Sequence, residues 1–261
     1  MSDIRLTAKL KGASDVVRLL RRHPEKVGRT LESLVKQEAR GMAVELARNT
    51  MPFGFSERAK KKGEKRVAKD ISGLFALPSD AFEEIRKSDP QAADRFWANI
   101  SNRRFARAEN NLRQTSSGWN DLKVGRLDTK LHKWGNLGGT KPKQIVTSPK
   151  ARDTYIARIQ RRVGFAKGTW INAGKAIGGR VRGAAQWTTR HKQAPGSAIV
   201  KTGVKPAVTL VNKLDYVLEA TTYNGVDLAL RNAAARLRKA LSTSLRKISQ
   251  QTNRTLRRRS G

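Results

Sequence analysis

Histidines, carboxylate pairs and glycine-rich loops are the first places to look for chemistry in this chain of 261 residues. His23, His132 and His191 stand far apart, with no i,i+4 pair among them and no cysteine anywhere. A zinc site or a catalytic triad needs partners that such spacing does not supply, so each histidine reads as a surface residue. Glu83 and Glu84 are adjacent. On a helix they diverge by about 100° and cannot face one another as an acid–base pair. The glycines of 135–139 and 174–179 lie near lysines, but neither segment matches a phosphate-binding loop or a dinucleotide fingerprint. No catalytic residue, metal ligand or cofactor is assigned, and an enzyme is the weakest reading.

The chemistry on offer is electrostatic. Lys+Arg number 55 against 21 Asp+Glu, a formal charge of +34. Such an excess repels itself unless an anionic partner shares the load, which points to nucleic acid, a membrane surface or an acidic protein. The charge is uneven. Between Thr129 and Leu214 the only acid is Asp153, and after Asp227 there is none. Candidate contacts to nucleic acid or an acidic partner are Lys60, Lys61, Lys62 and Lys65, then Arg180, Arg182, Arg190 and Lys192. At the C-terminal end they are Arg246, Lys247, Arg254, Arg257, Arg258 and Arg259. Trp97 and Trp170 sit on apolar helical faces and read as core. Trp119, Trp134 and Trp187 fall in loops, as interface anchors or as platforms for stacked bases. Phe53 and Phe55 join them as candidate anchors.

Several elements must position these residues. Ile4, Leu6, Ala8 and Leu10 alternate with polar residues, the period of a half-buried strand. Ser14 and Asp15 can cap a short helix over 16–22. Pro24 then suits the first position of a helix of about 25 residues, roughly 38 Å long, with Val27, Leu31, Leu34, Val35, Met42 and Leu46 on one stripe. Pro52 ends it. Segment 79–115 reads as helical, with a start at Asp89-Pro90, and 115–147 reads as a long loop. A helix starts at Ser148-Pro149 and runs to Gly178-Gly179. A basic loop over 180–197 follows, and then a β-hairpin over 198–214. Residues 225–256 make the cleanest helix, with a seam of Leu230, Ala234, Leu237, Leu241, Leu245 and Ile248. The expected class is α+β, with long helices packed on a small antiparallel sheet and long extended loops. Three segments are drawn: 1–78, a helical insertion and loop over 79–147, and 148–261, the last forming one structural unit with the first.

Scattered blocks of this sequence resemble the minor structural proteins of tailed bacteriophages, of the neck, tail-completion and head–tail-joining type. The blocks are Pro52-Phe53-Gly54 leading to Lys62-Gly63-Glu64, then Arg162, Val163, Gly164, Lys167 and Trp170, then Val208, Leu210, Asn212 and Tyr216. The likeness covers about half the chain and contains no catalytic signature. It departs from the common small members in length and in its basic C-terminal helix. What it implies is a mixed α/β subunit of the virion, assembled in the host cytoplasm into a homo-oligomeric ring around a genome channel. The implied neighbours are portal, adaptor or tail-tube proteins, and double-stranded DNA. In this setting Phe53-Gly54-Phe55 reads as a joint, with Gly54 allowing a tight turn.

A different class stays open beside it, a non-sequence-specific nucleic-acid-binding protein using its basic C-terminal half. A membrane partner is disfavoured, because no run of 18 apolar residues exists and the last helix is poor in aromatics. No signal peptide is recognised, and the lack of cysteine suits synthesis in a reducing cytosol.

Overall fold

The computed structural model describes residues 4–7, 24–132, 142–203 and 206–259. Its first elements are β1 (Ile4–Thr7), α1 (Pro24–Arg48), α2 (Glu57–Leu74), β2 (Phe75–Ala76), α3 (Pro78–Ser88), α4 (Pro90–Ser101) and α5 (Phe105–Arg113). Then come β3 (Lys123–Gly125), a 3-10 turn at Thr129–Leu131, β4 (Gln144–Val146), α6 (Pro149–Gln160), α7 (Phe165–Ala176) and α8 (Gln186–Thr189). The chain ends with β5 (Gly196–Lys201), β6 (Ala207–Asn212), α9 (Val217–Ala220) and α10 (Tyr223–Arg259). The class is α+β. The short helix expected over 16–22 lies outside the described residues.

Two compact units divide the chain: residues 1–60 with 164–261, and residues 61–163. The inserted unit is wider at both ends than the 79–147 segment drawn from the sequence. The reason is packing: Ile71 and Leu74 of α2 share an apolar cluster with Phe75, Val146, Tyr155 and Ile159.

The first unit is built on α1. Every fourth residue, Leu31, Val35, Ala39, Ala43 and Ala47, is buried, with Met42 and Leu46 beside them. A row of i+4 residues forms a ridge, and this ridge packs against both α7 and α10. The small side chains let the helices come close: a Cβ on Gly174 of α7 would stand 2.9 Å from Ala43 Cβ. Under the helices lies a three-stranded antiparallel sheet in the order β1-β6-β5. Val208, Leu210 and Asn212 of β6 are all buried, the period-2 face turned to the core. On α10 the buried row is Gly225, Ala229, Ala233, Leu237 and Leu241. The expected seam is therefore corrected at its start: Ala234 is exposed and Ala233 takes its place. Alanine gives too little hydropathy contrast for the pattern alone to choose between them. Arg236 ties α10 to α1 by ion pairs to Glu38 (Nε to Oε2, 2.7 Å) and Glu45, above Gly41, where a Cβ would come within 3.3 Å of the guanidinium.

The second unit has its own cores. Phe96, Ile85, Leu112, Ala81, Ala93 and Ala108 from α3, α4 and α5 meet Ile145 and Val124. Asp89 caps α4 by accepting from Ala92 N at 2.9 Å, and Ser148 caps α6 by accepting from Ala151 N at 3.2 Å. The 115–147 stretch is not wholly loop. Its β3 and β4 form, with β2, a small parallel sheet in the order β2-β4-β3. The buried Gln144 at its centre donates to Arg126 O at 2.6 Å and accepts from Asp128 N at 3.0 Å. Strands of two and three residues are too short to show a period in the sequence.

Nor is the segment after Ser148 one helix. It breaks into α6 and α7 at Gly164, whose φ of +91° lies in the left-handed region that glycine tolerates.

Candidate functional site

The most constrained place in the first unit is the C-terminal end of α1. A helix leaves its last four carbonyls without intrahelical donors, and here each finds one. Glu45 O accepts from Asn49 N at 2.9 Å, and Leu46 O from Thr50 Oγ1 at 2.7 Å. Ala47 O accepts from Lys167 Nζ at 2.7 Å and from Thr50 N at 3.4 Å. Arg48 O accepts from Gly54 N at 2.9 Å and from the same Lys167 Nζ at 3.5 Å. The Met51–Pro52 peptide is cis, and Gly54 has φ +86°. The bond from Gly54 N to Arg48 O folds the Phe53-Gly54-Phe55 turn back over the helix end.

Lys167, on α7, is 0% exposed. Its amine lies 5.3 Å from the Phe55 ring centre and 5.8 Å from that of Trp187. Burial, with Arg48 alongside, pulls its pKa down from 10.5 to about 7. The helix C-terminus and the two ring faces act in the opposite sense, favouring the ammonium. An amine near neutrality is one requirement of amine catalysis. This one, however, spends its donors on two main-chain carbonyls beneath two rings, so its role is to close the joint.

Around it runs a buried polar strip. Thr50 and Thr221 share a hydroxyl hydrogen bond of 2.7 Å, and Trp170 Nε1 donates to Thr221 Oγ1 at 3.4 Å. Asn212 Nδ2 donates to Thr169 Oγ1 at 2.6 Å. Trp187 Nε1 donates to Phe55 O at 3.0 Å. A Cβ on Gly164 would meet the Trp187 ring at 2.5 Å. Thus Pro52, Phe53 and Gly54, with Gly164, Lys167 and Trp170, belong to one assembly, although they are spread along 118 positions of sequence. Lys167 went unassigned in the sequence reading. A signal was present: it is the only charged residue between Val163 and Gly174, and it shares the i, i+3, i+4, i+7 stripe with Trp170, Ile171 and Gly174.

The remaining candidates divide. Lys61, Lys62 and Lys65 are exposed on α2 in the second unit, while Lys60, in the first, is half-buried and 3.4 Å from Glu57. Arg180, Arg182, Arg190 and Lys192 are exposed. Their loop is pinned at several points: Arg40 donates to Gly178 O at 2.7 Å, and Asn172 Nδ2 reaches His191 O, Lys192 O and Ala194 O. Arg246 and Lys247 are exposed on α10. Arg254, Arg257, Arg258 and Arg259 continue that helix, with side chains outside the description.

Among the proposed anchors, Phe53 is 54% exposed. Phe55 is half-buried on the first core, and Trp119 is half-buried on the second unit's core. Trp134 lies outside the described residues. Trp187 is corrected: at 5% exposure it is a core residue, because its indole N–H is needed by the Phe55 carbonyl and its ring covers Lys167. Trp97 is corrected in the other direction. It is 44% exposed and packs edge-on against Phe82, with ring centres 5.5 Å apart. Met51 and Tyr223 are exposed apolar residues that no sequence pattern singles out, and they lie just beyond the isolated Thr50–Thr221 bridge. His132, read as a surface residue, is half-buried and shares a 2.8 Å hydrogen bond with Tyr155 Oη. Desolvation by that burial lowers its pKa.

Among the described residues, no group of three or more His, Asp or Glu side chains could hold a metal ion. No described helix is long and apolar enough to cross a membrane. Compared with family models, curated proteins and solved structures, the chain finds no match.

Proposed function

We propose that this chain is a structural subunit of a tailed-phage virion, of the neck or tail-completion type. It works by assembly into a homo-oligomeric ring at the head–tail junction around the genome channel. The observation that supports this most is the convergence at the end of α1. Residues from two of the three blocks that carry the resemblance, Pro52-Phe53-Gly54 and Gly164, Lys167 and Trp170, meet in one joint rather than surrounding a substrate. The exposed Phe53, Met51 and Tyr223 beside that joint supply apolar anchors for a neighbouring subunit or a portal, adaptor or tail-tube protein. A charge of +34 then requires acidic neighbours or genome phosphates to offset self-repulsion.

The test is mass measurement and negative-stain imaging after nucleic acid has been stripped with nuclease and high salt. Closed rings, formed alone or on addition of the portal or adaptor partner, are expected, and Phe53→Ala with Tyr223→Ala should dissolve them without unfolding the subunit. A chain that stays monomeric under every condition, yet binds nucleic acid with a steep salt dependence, would overturn this reading. It would favour a free-standing, non-sequence-specific nucleic-acid-binding protein instead.

A further inference from the structure

The outer face of α10 carries a pattern that the joint does not use. Every fourth residue of a helix shares a row, and the buried row of α10 ends, among described side chains, at Leu241. Two other rows face away from it. One contains Arg238, Ser242, Arg246 and Gln250, and the other contains Lys239, Thr243 and Lys247. Arg238, Lys239, Arg246 and Lys247 are all exposed. The charges come as adjacent pairs eight residues apart, about 12 Å along the axis at 1.5 Å per residue. The last acid on the helix is Asp227, which is held by Arg231 at 2.9 Å.

We propose that these two rows form a track for the phosphate backbone of a nucleic-acid duplex, binding without reading sequence. The proposal rests on the virion reading above only for the duplex being the packaged genome.

Side-chain chemistry selects this partner. From Ser242 to Arg259 the helix consists of Arg, Lys, Ser, Thr, Gln and Asn, apart from Leu245, Ile248 and Leu256. Those polar types are the ones that contact phosphates. A docking face for an acidic protein would carry aromatic or apolar anchors and little lysine. No aromatic residue follows Tyr223. The same lack disfavours single strands, which bind by stacking bases on aromatic rings. What remains is a regular cationic row between hydroxyl and amide groups, matched to a rigid polyanion.

The probe is a blunt DNA duplex of about 25 base pairs, longer than the roughly 18 Å row. Binding is measured against salt for the full chain and for a variant combining Arg238→Gln, Lys239→Gln, Arg246→Gln and Lys247→Gln. The variant should bind at least about tenfold more weakly, with a log–log salt slope shallower by roughly one per lost phosphate contact. A charge-matched variant with Lys61→Gln, Lys62→Gln, Lys65→Gln and Lys69→Gln should lose less. Thermal melts of both confirm that these exposed positions leave the fold intact. Three results overturn the proposal: an unchanged slope in the α10 variant, an equal loss in the α2 variant, or poly-glutamate competing as well as duplex at equal ionic strength. Ring formation is scored on the same samples. Rings without α10-dependent duplex binding sink this inference alone, and duplex binding without rings sinks the assembly reading alone.

Discussion

Lys167→Met tests the account of the joint, because the buried amine ties protonation to stability. In the unfolded chain a lysine titrates near 10.4, and in the fold this one drops to about 7. Between those values the unfolded state holds the proton and the native state does not, so stability rises with pH across that window. Above about pH 10.4 neither state pays for the charge. The advantage shrinks as pH falls, and below pH 7 the native state bears the full cost of a buried ammonium. From pH 6 to pH 9 about two units of the window are crossed, worth on the order of 3 kcal/mol. Methionine is unbranched, fills much the same volume and does not titrate. At pH 9 the wild type should lead by about 1–2 kcal/mol, from the hydrogen bonds to Ala47 O and Arg48 O. At pH 6 the lead should vanish or reverse. Urea is the denaturant of choice, since it adds no ions to a chain of charge +34, and the fluorescence of the five tryptophans, Trp187 among them, follows unfolding. A gap between the two proteins that is constant from pH 6 to pH 9 would refute the reasoning. It would mean that the carbonyls and ring faces keep Lys167 charged throughout.

Other positions give further tests. Gly164→Ala combines a φ of +91° with a Cβ 2.5 Å from the Trp187 ring, and should lower stability by about 3 kcal/mol or more in a thermal melt. Gly118→Ala, which meets nothing within 4 Å, should stay within about 0.5 kcal/mol of wild type and serves as the control. Arg236→Met leaves Glu38 and Glu45 without their shared cation and should cost about 2 kcal/mol in urea unfolding. Arg236→Lys should not restore it fully, because one ammonium lacks the guanidinium's several fixed donors. Asp89→Ala removes the α4 cap and should cost about 1 kcal/mol, seen as faster amide exchange in the first turn of α4.

Legibility in the sequence followed element length. β1, α1, the β5–β6 hairpin and α10 were readable because each repeats its period several times or ends on proline or glycine. The sheet β2-β4-β3 was not, since Phe75–Ala76 and two three-residue strands hold at most one and a half repeats. The tryptophans were exchanged for a related reason. Trp97 lies on an apolar-looking helix but next to the stripe that Phe96 occupies, while Trp187 sits in a polar loop whose four-residue helix α8 carries it into the core. Local context ranks an aromatic residue by its neighbours in sequence. Burial is decided by partners such as Phe55 and Lys167, which are far away along the chain. The basic faces were legible as composition, but only the helical register sorted the α10 charges into rows.

The joint also sets an order in time. The Ala47 carbonyl waits for an amine 120 residues further along, and β1 waits for β6, with Ile4 opposite Asn212. At about 5–20 residues per second, synthesis leaves the end of α1 open for roughly 6–24 seconds. Meanwhile residues 61–163 emerge as one continuous stretch that contains the described residues of its own cores. The partners of the middle cores are therefore all synthesised before those that close the end of α1. Phe55 stays uncovered until Lys167 and Trp187 arrive, which makes the closed joint a molecular receipt that translation has passed them. An incomplete chain presents the same aromatic turn without its latch, the kind of surface that chaperones and proteases sort by.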